Sequence, residues 1–266
     1  MPHHRKTIIA LWCLFVFAFG ASALRASPPI GAVVQTWHYD PLTNIVTLKI
    51  VNTSHKNITA FNIAIKETYA DGHVSSHEQM TDSSGALAVI EEVKGTADED
   101  NLRKQVGDGV LHPGETRNEI IHVQPGLTTF EATVDVVAYA DQTSEATNND
   151  GLQRLISRRK VNLASRQACN EIIKAALADP HDPDPAATAT KKIQDRITIW
   201  KSQKHTTLDF EPAIAKGIVD ELNGISSKSS LTNKRDALTR YIAKSEKRIA
   251  TLSPHANLTK IGGPQT

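Results

Sequence analysis

IVTLKIVNTSHKNITAFNIAIKETYADG, residues 45–72, is the stretch whose reading decides the fold. In its first half Val46, Leu48 and Ile50 alternate with Thr47 and Lys49; in its second, Phe61, Ile63 and Ile65 alternate with Asn62, Ala64 and Lys66. A period of two places one set of side chains on each face of an extended chain, so both halves read as half-buried strands. Between them Asn52-Thr53-Ser54-His55-Lys56-Asn57 supplies short polar side chains that bond their own backbone and fix a tight reversal.

The same grammar extends on both sides. Residues 32–39 form a first strand, and Asp40-Pro41-Leu42-Thr43-Asn44 turns it into the central pair. Asp71-Gly72 turns again into a weaker strand over 74–80. From 81 to 109 the alternation fails; Leu87, Ile90 and Val93 suit one face of a short helix, and the remainder reads as a long solvated insertion. Leu111-His112-Pro113-Gly114-Glu115 feeds a strand over 116–123. After Gln124-Pro125-Gly126, Phe130, Ala132, Val134, Val136 and Ala138 predict one apolar face of the cleanest strand in the chain. No helical crossover long enough for parallel pairing separates these strands, so residues 27–141 are expected to form an Ig-like antiparallel β-sandwich. The fold class expected for the whole is α+β, the sandwich being followed by an all-α region.

The turn segments carry a resemblance. Asn52-Thr53-Ser54-His55-Lys56-Asn57-Ile58-Thr59-Ala60-Phe61, with Tyr69-Ala70-Asp71-Gly72 and Leu111-His112-Pro113-Gly114-Glu115, resembles the small Ig-like domains of exported bacterial proteins, of the FxLYD type. It covers about residues 30–141, with Glu67-Thr68-Tyr69 in place of the aromatic-x-Leu-Tyr-Asp run. The resemblance implies a sandwich whose strands are bracketed by polar turns, and it brings no catalytic residues.

The amino terminus places the chain. Arg5 and Lys6 precede an uncharged run over 7–24 that closes on Ala21-Ser22-Ala23 and Ala26. A charged start, apolar middle and small-residue exit are the marks of a secretory signal peptide, residues 1–26, cleaved after Ala23 or Ala26. An uncleaved anchor is the alternative, since the run approaches the ~20 residues of a spanning helix. Cys13 would leave with the signal. That makes Cys169 the one cysteine of the mature chain, excludes an internal disulfide, and leaves stability to core burial. Cys169 shares a helical face with Ile172, Ile173 and Ala176, as a buried apolar group would; an intermolecular disulfide is its alternative.

Thirty basic and 29 acidic side chains nearly cancel, so no global field would draw the chain to nucleic acid, and aromatics at 5% are too sparse for stacking on bases. Residues 142–151 read as a polar linker whose Asn148, Asn149 or Asp150 caps a long helix ending at Ala178. Asp179-Pro180-His181-Asp182-Pro183-Asp184-Pro185 stops it, and Asp184 with Pro185 opens a second helix. Asp209 is expected to cap a third, carrying Phe210, Ile214, Ile218 and Leu222. A fourth, over 231–252, aligns Leu238, Ile242, Ser245, Ile249 and Leu252 opposite a basic face of Lys234, Arg240, Lys244, Lys247 and Arg248. That face is expected to be solvated, with lipid as the rarer use. About four helices thus fill 142–252, and 253–266 is expected to be a loose tail.

No nucleophile elbow, phosphate loop or dinucleotide fingerprint is present, and no catalytic, cofactor or metal residue is assigned. His73 and His77, joined by His112 or His122, are the nearest to a zinc set, but zinc needs three or four convergent ligands. Asp98, Glu99 and Asp100, and Asp179, Asp182 and Asp184, lack the spacing of a calcium loop. Ser83-Ser84-Gly85 and Ser226-Ser227-Lys228 read as polar pieces. In a eukaryotic secretory pathway Asn52, Asn57 and Asn257 would be glycosylation acceptors. The expectation is a non-enzymatic exported protein of the bacterial envelope, a binding or structural module with an envelope protein as partner. The alternatives are a metal-dependent hydrolase using His73 and His77, and a membrane-tethered interaction protein with an uncleaved anchor.

Overall fold

The computed structural model describes residues 30–202, 211–228 and 230–261. The expected signal segment with both cleavage sites, Asp209 with Phe210, and the last five residues lie outside the described residues. The chain is α+β. Strands β1 (Ala32–Asp40), β2 (Ile45–Asn52), β3 (Ile58–Tyr69) and β4 (Val74–Asp82) are followed by helices α1 (Ser84–Val93) and α2 (Glu99–Val106). Then come β5 (Thr116–His122), β6 (Leu127–Tyr139) and β7 (Thr143–Ala146). Helices α3 (Asn149–Ala178), α4 (Pro185–Ser202), α5 (Pro212–Ser226) and α6 (Leu231–His255) precede a short β8 (Thr259–Lys260).

The strands form two sheets, ordered β1-β2-β5 and β4-β3-β6-β7-β8, and every pairing is antiparallel except that of β7 with β8. Val46, Leu48 and Ile50 from the smaller sheet share one apolar core with Phe61, Ile63 and Ile65 from the larger, the two sets that alternate in the sequence. The turn between β2 and β3 is fixed by Asn52. This side chain is fully buried; its Nδ2 donates to the carbonyls of Lys56 and Leu111 at 2.8 Å, and its Oδ1 accepts from the Ser54 amide at 2.9 Å. Asn52 is therefore no glycosylation acceptor.

The sequence misplaces half of β6. Its register against β3 slips between Asn62 and Ile63, leaving Asp135 as a bulge residue, and an extra residue inverts which side chains face which way. Phe130 and Val134 lie in the core shared by the sheets, but beyond the bulge Val137 and Tyr139 take that place. Val136 and Ala138 turn instead to the other face, where they pack with Ala60 of β3 and with Leu152 and Leu155 of α3. Helix α3 comes close because Gly151 has no side chain: a Cβ there would lie 3.0 Å from Cγ2 of Val136.

Three further expectations are corrected. Residues 81–109 hold two helices rather than one: α1 carries Leu87, Ile90 and Val93 as expected and buries Ala88 and Ile90, and α2 is added among residues that are largely exposed, Asp98, Asp100, Asn101, Gly107 and Asp108 with them. Gly109, at φ +69°, lets the chain pass beneath α1 where a Cβ would meet the Leu87 amide at 2.4 Å. The polar stretch after β6 is partly strand β7, capped onto α3 by Asn148, whose Oδ1 accepts from the Gly151 amide at 3.1 Å. The tail is not loose from Ser253: α6 continues to His255, and β8 joins the sheet beside β7.

Arg159 of α3 fastens the helices to the strands. Its side chain is 3% exposed, and its Nε and Nη2 grip the two oxygens of Asp82 at 3.0 and 2.9 Å. The same guanidinium donates to Thr59 Oγ1 at 3.2 Å and to the His255 carbonyl at 3.1 Å. Burial pushes the Asp82 carboxyl up, but the hydrogen bonds and charge of Arg159 outweigh it and hold the carboxyl below its ordinary 3.8. With a lowered folded value, the pair's stabilisation is complete above pH 3.8 and is lost as pH falls below it through the folded value. Arg159→Met would strand a buried carboxylate, so urea unfolding at neutral pH should show a loss of about 3–5 kcal/mol. Adding Asp82→Leu should recover most of that loss and flatten the acid limb; an unchanged midpoint in Arg159→Met would refute the role given to the pair.

Candidate functional site

The structure scatters the histidines. His73 lies in the β3–β4 turn and stacks on Tyr69 with ring centroids 5.9 Å apart, while His77 sits along β4 with Nε2 3.9 Å from the buried Glu67 carboxylate. His112 is drawn to the opposite loop, where its ring nitrogens contact Asn57 Oδ1 at 3.1 Å and Asp108 Oδ2 at 3.4 Å. His122 is exposed at the end of β5. Among the described residues no three His, Cys, Asp or Glu side chains converge as metal ligands.

The acidic groups have architectural partners. Glu99 accepts from Arg103 and from the Gly95 amide, which hold its carboxyl below the ordinary value through these hydrogen bonds. In the proline-rich loop Asp179 and Asp182 fold back on the amides of His181 and Asp184, each at 2.9 Å. A cation is already there: Arg235 of α6 donates to the carbonyls of Leu177, Asp179 and Asp182, closing the open end of α3. Asp184 caps α4 through the Ala187 amide at 3.0 Å, as its place before Pro185 predicts, and also takes Ser226 Oγ at 2.9 Å and Lys234 Nζ at 2.5 Å. In Ser226-Ser227-Lys228, then, the first serine ties α5 to α4. The cap of α5 is Glu211, accepting from the Ala213 amide at 3.3 Å.

A cleft of about 320 Å³ between α5 and α6 gathers charge that architecture does not consume. Its floor is Ala237, Tyr241 and Ser245 of α6, and its far end is closed by Glu92 of α1 paired with Arg248 at 2.6 Å. Arg240, Lys244 and Arg248 follow at intervals of four along one wall, because four residues make about one helical turn. Lys228 and Glu221 face them. Lys228, Arg240 and Lys244 make no ion pair among the described residues. Beneath the cleft, Arg166 is pushed below its ordinary value by burial and then by the charge of Arg248, and burial pushes the Tyr241 phenol up. The basic stripe of α6 was visible in the sequence; that α5 and α1 wall it in was not, since those neighbours are brought by the fold.

Cys169 lies at the centre of the helical core with Ile173, Ala189, Ile193 and Leu222. No family model matches this chain, and no curated protein matches it. Among solved structures, a hypothetical protein from Peptoclostridium difficile 630 aligns over 47% of this chain and 88% of its own, at 13% identity and a TM-score of 0.26, a likeness that carries no argument.

Burial pushes the Cys169 thiol up to about 11, so the thiolate is scarce at neutral pH and sealed from reagents. A disulfide reagent at pH 8 should leave Cys169 of the folded protein unmodified and label it in denaturant. Rapid labelling of the folded form would show the helical core to be open.

Proposed function

We propose that this chain is a non-enzymatic exported protein of the bacterial envelope, an Ig-like sandwich of the FxLYD kind carrying a helical unit, which works as a binding or structural module. The supporting observation is how the polar side chains are spent. Serines and aspartates cap helices and turns, the histidines stand apart, and the buried thiol is held protonated. What is left with unsatisfied charge is a concave surface on the helical unit, suited to holding a group rather than transforming it. Two sheets around one apolar core, stable without a disulfide, support the sandwich. The basic pair, the apolar run and Ala21-Ser22-Ala23 support export.

The test is the mature amino terminus after expression in a bacterial host. Sequencing of protein released from the periplasm should begin at Leu24 or Ser27. Protein that keeps the apolar run and fractionates with membranes would replace the exported form by a tethered one, and intact protein in the cytosol would end the envelope assignment.

A further inference from the structure

We propose that the α5–α6 cleft is a binding site for a phosphate-bearing anion, held by Arg240 and Lys244 from one wall and Lys228 from the other. The proposal rests on the reading of the helical unit as a binding surface, and adds the chemistry of what it binds.

Four cations line the cleft against two carboxylates, and the two signs are not mixed evenly. Glu92, in a nearly buried position, is used up by Arg248. Within the cleft itself Glu221 is the remaining carboxylate against Lys228, Arg240 and Lys244, so its middle and mouth are left positive. The same two cations, Lys228 and Arg240, also line an adjoining hollow with Asn233 and Asp236, which extends the basic surface to the hairpin between α5 and α6. Like charges held side by side repel, and Lys228, Arg240 and Lys244 are so held along the cleft. An anion in the cleft would relieve the repulsion.

The geometry favours phosphate over a single carboxylate. Arg240 and Lys244 stand about one turn apart, roughly 6 Å along the axis, with Lys228 across from them. A planar carboxylate is matched by one guanidinium, whereas a phosphoryl group or a pair of them offers oxygens in several directions and more than one charge. The Arg fork with two lysine point charges fits that distribution. Ser245 and Tyr241 also line the same cleft. A soluble organic phosphate and the phosphate of a lipid headgroup present the same chemistry, and the experiment separates them.

The probe is inorganic pyrophosphate, titrated calorimetrically into the purified full chain at low salt. Saturable binding is expected, weakening as salt rises because the groups are exposed. Arg240→Ala with Lys244→Ala should lower the affinity roughly ten-fold or more, while Lys191→Ala, at an exposed position of α4, should leave it unchanged. Glu221→Gln removes the cleft carboxylate that Arg248 does not pair and should tighten binding, a gain that misfolding cannot imitate. No binding, or binding indifferent to these variants, would overturn the proposal. Flotation with vesicles of phosphatidylglycerol and phosphatidylcholine, competed by pyrophosphate and lost in the double variant, would assign the headgroup; pyrophosphate binding without flotation would assign a soluble phosphate. The amino-terminal test addresses export alone, so failure here and failure of the envelope reading are told apart.

Discussion

The guanidinium of Arg159 is the constraint on which the rest of the molecule depends. It holds four acceptors at once: both oxygens of Asp82 at the end of β4, the Thr59 hydroxyl at the start of β3, and the His255 carbonyl at the end of α6. Only a planar fork with five donors can do this from one buried position. Asp82 also accepts from the Ser84 amide at 3.0 Å, so the same carboxylate sets the start of α1. His255, buried beside Arg159, is pushed below its ordinary value by burial and then by that positive charge, which keeps the ring neutral where α6 meets the sheet.

Arg159 belongs to a pattern. Arg154 of α3 pairs with Glu78 of β4, Arg159 with Asp82, and Arg248 of α6 with Glu92 of α1. All three carboxylates lie within residues 78–92, and all three arginines come from the C-terminal helices. Arg154 is exposed, but the Arg159–Asp82 and Arg248–Glu92 pairs are largely buried; such pairs offer little net stabilisation over apolar contacts of similar volume, yet they penalise any other alignment of the partners. The apolar part of the joint is small and built of Ala60, Val136, Ala138, Leu152 and Leu155, which would tolerate sliding. Charge pairing therefore sets the angle at which the helical unit sits, while the apolar contacts set how close it comes.

What the sequence makes legible follows from range. Strands β2 and β3, the Asx turn from Asn52 to Ser54 and the Asp184-Pro185 helix start each follow from a local pattern and are found where it predicts, although β2 and β3 lie in different sheets and Asn52 also reaches the distant Leu111 carbonyl. The bulge at Asp135 was hidden because Val136, Val137, Ala138 and Tyr139 are all apolar, so a strand buried on both faces reads equally well in either parity. The helix of residues 84–93 was half seen through Leu87, Ile90 and Val93. Its burial was not, because the partner that neutralises Glu92 is Arg248, 156 positions away. For the cleft, the sequence pattern places Arg240, Lys244 and Arg248 on one solvated face, where Arg240 and Lys244 are indeed exposed, but the walls contributed by α5 and α1 depend on tertiary placement.

These distances also explain how a chain of net charge +1 comes to present a basic hollow. Near-neutrality describes the sum, whereas recognition depends on where the charges are spent. Carboxylates at 78, 82 and 92 are drawn into the joint and Asp184 into a helix cap, each taking one cation with it. The cations so consumed are those at the ends and base of α6 and on α3. Those in the middle of α6, Arg240 and Lys244, line the cleft with Glu221, and Arg240 adjoins Asp236 as well. The imbalance is thus produced by the same alignment that Arg159 enforces: α1 is held against α6 by Glu92 and Arg248, that pair closes the cleft at one end, and Arg240 and Lys244 beyond it make no ion pair among the described residues.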